Sequence, residues 1–169
     1  VIDLYTWATP NGRKVSIALE ELGIDYTVHA IDIGKGEQFR DAFVAISPNG
    51  KIPAIVDRDS GRSMMESGAI LWYLAQTHGR LLGADPWQTL QWLMLQMASI
   101  GPILGQVHHF SHFNPGKAPY AEERFRAEAM RLYGVLDARL HEHEYLSDTY
   151  SIADIAVWPW ISRFEWQRI

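Results

Sequence analysis

The sequence predicts an α/β domain followed by an all-helical one. Three observations carry that division. Strand-like and helix-like stretches alternate over residues 2–77, a Gly-, Asp- and Pro-bearing segment interrupts the pattern at 79–86, and every apolar repeat beyond it has helical spacing. A chain of 169 residues with 47% apolar residues can bury one large core or two small ones, so disorder is excluded. We place the first domain at 1–78, a linker at 79–86 and the helical domain at 87–169.

Ile2 to Thr6 and residues 26–31 alternate as strands, and between them Val15, Ala18, Leu19 and Leu22 mark one helical face that Gly23 ends. That is a βαβ unit. A looser segment around Phe39 and Phe43 follows; Ala54 to Asp57 and a short piece near Ser63-Met64 then read as a hairpin, and residues 66–77 as a helix, giving ββα. Past the linker, Leu90, Leu93, Met94 and Met97 form one apolar stripe, and Phe125, Ala129, Leu132, Leu136 and Leu140 another. Ser151-Ile152-Ala153-Asp154 is a capping-box pattern ahead of Ile155 and Val157, with Tyr150 placed as a hydrophobic staple. Trp158, Trp160 and Trp166 follow helical spacing and read as core. The stretches 57–65 and 85–90 read as a few residues short, and the chain stops at Gln167-Arg168-Ile169 inside an apparent helical run with no terminator.

Composition narrows the function classes. A net charge of −5 without clustered Lys or Arg argues against binding nucleic acid. No stretch approaches the ~18 unbroken apolar residues of a membrane span, and Val1-Ile2-Asp3 does not open a leader segment, so we expect a cytoplasmic protein without membrane contact. The absence of cysteine excludes a disulfide scaffold, a Cys-x-x-Cys pair and thiolate metal sites; thiol chemistry here needs a borrowed thiol.

The most informative stretch is Ser47-Pro48-Asn49-Gly50-Lys51-Ile52-Pro53-Ala54, followed by Glu66-Ser67-Gly68-Ala69-Ile70. Pro53 stands at the mouth of a strand, where an Ile52-Pro53 bond is a candidate cis peptide that turns the Ile52 backbone outward to pair with another peptide. Ser67 opens a helix, whose exposed N–H groups and dipole favour a carboxylate, while Glu66 can accept from an ammonium. One zwitterionic amino-acid end is thereby recognised twice. Together the two elements read as an edge for a small γ-linked peptide, with glutathione as the ligand; taken singly, Pro53 ends a loop and Ser67 caps a helix.

Thr9-Pro10-Asn11-Gly12-Arg13-Lys14-Val15, Gly34-Lys35-Gly36-Glu37-Gln38-Phe39, and residues 47–53, 66–71, 91–105 and 151–160 together resemble the cytosolic glutathione transferases. The likeness is greatest to the bacterial nu class, whose members include disulfide-bond reductases, and to its fungal relatives. It implies the glutathione transferase fold, an α/β thioredoxin-like N-terminal domain (βαβ-ββα) plus an all-α C-terminal domain, assembled as a homodimer. It also implies further helices after residue 169, so that the C-terminus is truncated here. In the class resembled, Asn11 lies beside the glutathione sulfur and Arg131 matches an arginine that contacts the tripeptide; Arg131 reads equally well as an outward-facing charge.

Thr9-Pro10-Asn11-Gly12 occupies the strand-to-helix turn where a thioredoxin carries its cysteines. A free thiol of pKa about 8.5 is only a few per cent thiolate at pH 7, so donors that stabilise the anion raise its reactivity; a two-unit depression, about 2.7 kcal/mol, does so roughly 25-fold. Asn11, and after it Thr9, are the catalytic candidates, with capping and turn-holding as their structural alternatives. Tyr5, inside its strand, reads as packing. Gln38 and Lys51 flank the Ile52-Pro53 edge and are placed to reach the glycyl carboxylate, although an isolated lysine is usually just solvated. His108 and His112 stand at i and i+4, a spacing that can hold zinc, but no third ligand is apparent, so we assign no metal and read the segment as a polar wall of a substrate cleft. The reading is a glutathione-dependent enzyme that reduces a small disulfide or attacks an electrophile. Its rivals are a glutathione-binding regulatory module without turnover and a transferase specialised for one electrophile.

Overall fold

A computed structural model describes residues 1–169, which divide into two units, Val1–Arg80 and Leu81–Ile169. In the first, β1 (Ile2–Thr6), α1 (Pro10–Leu22), β2 (Tyr26–Ala30), α2 (Asp41–Val44), β3 (Ala54–Asp57), β4 (Arg62–Met65) and α3 (Ser67–His78) build a four-stranded sheet of order β2-β1-β3-β4. β1 and β2 run parallel, and β3 runs antiparallel to both β1 and β4. The stripe Val15, Ala18, Leu19 of α1 and the stripe Ile70, Leu71, Leu74, Ala75 of α3 meet, and both are essentially sealed from solvent together with Leu4 and Ile55 of the sheet. Each large side chain so buried contributes about 1.5–3 kcal/mol. Gly23, at φ 68°, ends α1 in the left-handed conformation and returns its N–H to the last turn.

The stretch 57–65 closes as a tight turn between two strands. Asp57 accepts from the Asp59 amide (3.0 Å), the Ser60 hydroxyl (2.8 Å) and the Tyr73 hydroxyl, so its carboxylate organises a four-residue turn between β3 and β4. Likewise Asp85 caps α4 (Pro86–Leu95) by accepting from the Trp87 amide at 2.9 Å, with Pro86 at the first helical position. Both short stretches close as tight, capped turns.

The second unit continues from α4 through a π-helical turn (Gln96–Ile100) into α5 (Gly101–Val107) and a second π turn (His108–Phe113), then adds α6 (Pro119–Glu142) and α7 (Ile152–Ile161). The buried line along the first run is Leu93, Gln96, Ile100, Leu104 and Val107, not the stripe through Leu90, Met94 and Met97. Those positions keep one 3- and 4-residue spacing through the π turn, and Met94, off that line, is left 46% exposed. On α6, Ala129, Leu132 and Leu136 are buried and Phe125 packs beside them, whereas Leu140, in the last turn, stays largely exposed. Ser151 and Asp154 form the reciprocal capping box, and Asp154 also accepts from the Leu146 amide at 2.9 Å, tying the preceding loop to the start of α7. Tyr150 sets its ring against Tyr145.

Two readings of this half are corrected. The last residues are not helical: α7 stops at Ile161, a 3-10 turn (Phe164–Trp166) follows, and Gln167 turns wholly inward. Its amide donates to the Trp160 carbonyl (3.0 Å) and approaches His108 Nε2 (3.3 Å), while its oxygen accepts from the Tyr133 hydroxyl. The histidine segment is an aromatic stack rather than a polar wall. His108, 5% exposed, lies against Trp160 and edge-on to Trp166, and His112, four residues on and so on the same side, stacks on Trp166 at 4.6 Å. Trp160 and Trp166 are therefore packing residues as read, but Trp158 faces outward at 59% exposure.

Burial, with the charges of Arg163 and His112 adding to it, holds the His108 imidazole well below the ordinary 6.5, at about 4. The unfolded chain therefore takes up this proton first on acidification. The contribution to stability is full above about 6.5 and is lost as the pH falls towards about 4. Thermal melts across that window should show a smaller fall for His108→Phe than for the wild type. Parallel curves would mean that His108 keeps an ordinary affinity for protons in the fold.

Candidate functional site

The sheet register assembles the site. Tyr5 of β1 pairs with His29 of β2 on one side and Ala54 of β3 on the other, and Ala54 pairs in turn with Met65 of β4. Along this one row, β1, β2 and β4 run out in the direction from which β3 enters. The loop carrying Thr9 and Asn11, the segment carrying Gln38, the Ile52-Pro53 approach and the Glu66-Ser67 turn consequently share one end of the sheet. Tyr5 itself stacks on His29 at 4.6 Å and lies near Phe43, a packing role.

At the first of these segments Thr9 is the N-cap of α1, its hydroxyl oxygen accepting from the Gly12 amide at 3.1 Å, and Pro10 supplies the first helical φ. Thr9 is thus structurally occupied as an acceptor, although its own proton can still be donated. Asn11 is half-buried in the first turn and has polar contacts of its own. Gly12 is needed for close approach: a Cβ there would come within 2.3 Å of the Trp7 carbonyl and 2.4 Å of Thr6 Oγ1. Only glycine lets the helix start this near the end of β1.

The second segment is held by a turn. Gly50, at φ 61°, donates to the Ser47 carbonyl (2.8 Å), and the fully buried Ser47 hydroxyl donates to the Lys51 carbonyl (2.8 Å). The Phe39 ring packs on Gly50, and the Gln38 carbonyl lies 3.4 Å from where a Gly50 Cβ would stand. Gln38 and Lys51 therefore sit on neighbouring segments. Gln38 Oε1 is buried without a hydrogen-bond partner, and its Nε2 makes a long bond of 3.4 Å to the Ile33 carbonyl. Lys51 is exposed and Ile52 half-buried, and the Ile52–Pro53 bond is cis.

Glu66 is exposed at φ 68° and ψ 113°, a positive-φ conformation costly for a residue with a Cβ and concentrated where backbone geometry serves a site. Its carbonyl receives the first helical bond of α3 from Ile70 (2.9 Å), so the amides of the first turn precede the ladder. Ser67 is buried at 3% exposure, and Lys14 Nζ approaches its hydroxyl to 3.4 Å. Lys14, from the motif that follows Thr9 and Pro10, is 1% exposed and was given no role by the sequence reading. Burial pulls its ammonium down to about 7, opposed by the charge of Glu66. The available signal was a lysine in step with Ala18 and Leu22 on the apolar face of α1. In sum, two helix N-termini, a buried cation and an exposed carboxylate stand at one end of the sheet, a constellation suited to a small zwitterion with a second anionic end.

Arg131 belongs to the second unit. On α6 it forms a two-pronged pair with Glu128 (2.8 and 2.7 Å), beside a surface depression lined by Ile103, Tyr120, Arg124 and Phe125.

Two family models match the chain: Glutathione S-transferase, N-terminal domain, over residues 4–84, and Glutathione S-transferase, C-terminal domain, over 119–168. The disulfide-bond oxidoreductase YfcG of Escherichia coli (strain K12) is 51% identical over 178 residues, an alignment covering 100% of this chain and 83% of that protein. A glutathione transferase from Pseudomonas putida, crystallised with one glutathione disulfide per subunit, superposes with a TM-score of 0.91 at 45% identity, covering 96% of this chain and 74% of the other. A glutathione transferase from Burkholderia graminis, with two glutathione molecules per subunit, gives a TM-score of 0.91 at 41% identity, covering 99% and 77%. On the family models, the extent of these identities and the shared fold, this chain belongs to the glutathione S-transferase family.

Proposed function

We propose that the protein is a cytoplasmic, glutathione-dependent enzyme that uses the bound thiolate to reduce disulfides. The observation that carries this reading is the convergence of Asn11, Gln38, Ile52, Glu66 and Ser67 at one end of the sheet. In it, the Ile52 backbone pairs with the tripeptide, Ser67 and the α3 amides take the γ-glutamyl carboxylate, and Glu66 takes its ammonium. Gln38, through the amide whose oxygen is otherwise unmatched, and Lys51 hold the glycyl end, with Pro53 shaping the edge; Arg131 is a further candidate contact. Asn11, helped by the Thr9 hydroxyl, donates to the sulfur.

With no cysteine in the chain, both reducing equivalents come from glutathione. One glutathione thiolate attacks a substrate sulfur, breaking the disulfide and releasing one substrate thiolate, which takes a proton. A second glutathione thiolate then attacks the glutathione sulfur of the mixed disulfide, releasing the other substrate thiol and glutathione disulfide. The ligands of the two similar structures, glutathione disulfide in one and two glutathiones in the other, support this stoichiometry. Conjugation of an electrophile, a detoxifying role, would use the same thiolate and is the second reading. Steady-state kinetics with glutathione against a small disulfide and a small aryl halide tests the choice. Turnover of the disulfide is expected; conjugation alone would favour the second reading, and tripeptide binding without either a regulatory module.

We also place the protein in a two-fold dimer, because Trp87, Met94 and Met130 expose 72%, 46% and 52% of their surface on α4 and α6. Light scattering at micromolar concentration should give twice the chain mass, and a monomer removes this assignment.

Ser67→Ala should weaken glutathione by about 1–3 kcal/mol in calorimetry, the cost of one lost polar contact, and an unchanged affinity contradicts the docking. Asn11→Ala should lower kcat more than it weakens tripeptide binding, because its partner is the sulfur rather than the peptide. Wild-type turnover would shift the donor role to Thr9 or the turn amides.

A further inference from the structure

Lys14 has no part in the chemistry above, yet it is the largest side chain buried completely within the first unit. Lysine is almost never fully buried unless something pairs with it, since desolvating an ammonium is costly and a leucine or methionine packs the same volume without that cost. Its Nζ stands 3.4 Å from Ser67 Oγ, on the interior side of the α3 N-terminus, and Glu66 is the carboxylate that acts on it. An ammonium that donates to the Ser67 oxygen turns the hydroxyl proton away from itself. In its protonated form it also adds a positive charge behind the partial charge of the helix end.

We propose that Lys14 is a positioning residue for glutathione, holding Ser67 from the buried side so that its hydroxyl addresses the γ-glutamyl α-carboxylate and supplying the charge that balances that carboxylate. The inference rests on the docking proposed above. Once the ligand is seated, its ammonium faces Glu66 and its carboxylate lies over Ser67 and Lys14, so two positive and two negative charges cancel. Without Lys14 the same turn would hold two carboxylates against one ammonium.

The test removes the carboxylate as well as the lysine. Calorimetry is run with glutathione and with γ-aminobutyryl-cysteinyl-glycine, which keeps the amine and lacks the α-carboxylate, on the wild type, Lys14→Met and Lys14→Gln, with thermal melts to establish folding. Lys14→Met is expected to lose about tenfold or more of its affinity for glutathione and to change less than about twofold towards the analogue. Equal losses for both ligands, or none for either, would make Lys14 a packing residue and overturn the proposal. A readout on the wild type does not depend on the variants folding: the Lys14 Nζ resonance of lysine-labelled protein should move on adding glutathione and stay in place with the analogue. A resonance indifferent to glutathione overturns the proposal, whereas a wild type that binds no glutathione overturns the docking itself and this inference with it.

Discussion

The row of paired residues Tyr5, Ala54 and Met65 is the constraint on which the candidate site depends. Because β3 runs antiparallel between β1 and β4, its entry lies beside the exits of both, and one register sets the relative positions of three loops that are far apart in sequence. A slip of one residue would turn Ile55 from the sealed core to the opposite face, so burial of Leu4 and Ile55 enforces the register that aligns the loops. Packing of α1 on α3 then brings the two helix starts together, as the approach of Lys14 to Ser67 records.

The first unit accommodates unfavourable features at that end of the sheet. Glu66 holds a positive φ, Lys14 carries an ammonium into an apolar layer and Gln38 keeps a buried oxygen unmatched. Each departs from what a core designed only for stability would choose, and departures of this kind gather at sites. The surrounding apolar stripes of α1 and α3 supply the burial that offsets them.

In the second unit the comparable organiser is the Ser151–Asp154 box, whose carboxylate satisfies both the start of α7 and the loop leading to it. Gln167 does similar work from the other end, meeting the Trp160 carbonyl, Tyr133 and His108 with a single amide. Local chemistry made the box readable, since its partners are three residues apart. The Gln167 plug was not readable, because its partners lie on three other segments and a glutamine near a chain end carries no local signal of burial.

Much of the architecture follows from the sequence by itself, because it is set by short-range rules. Alternation marks the strands, the 15, 18, 19, 22 stripe marks α1 and Gly23 its end, and the Thr9-Pro10 and Glu66-Ser67 pairs mark helix starts. The candidate site residues were chosen from short-range patterns of the same kind, together with the likeness of their motifs to a family. What only the tertiary structure decided is long-range or depends on phase. Packing left Met94 exposed, and Trp160 and Trp166, from a later stretch of the chain, made His108 and His112 part of an aromatic stack instead of a polar wall. Lys14 could be seen on an apolar face, but only the packing of α1 on α3 shows its nitrogen against Ser67, since which group an interior charge meets depends on contacts across 53 residues of chain.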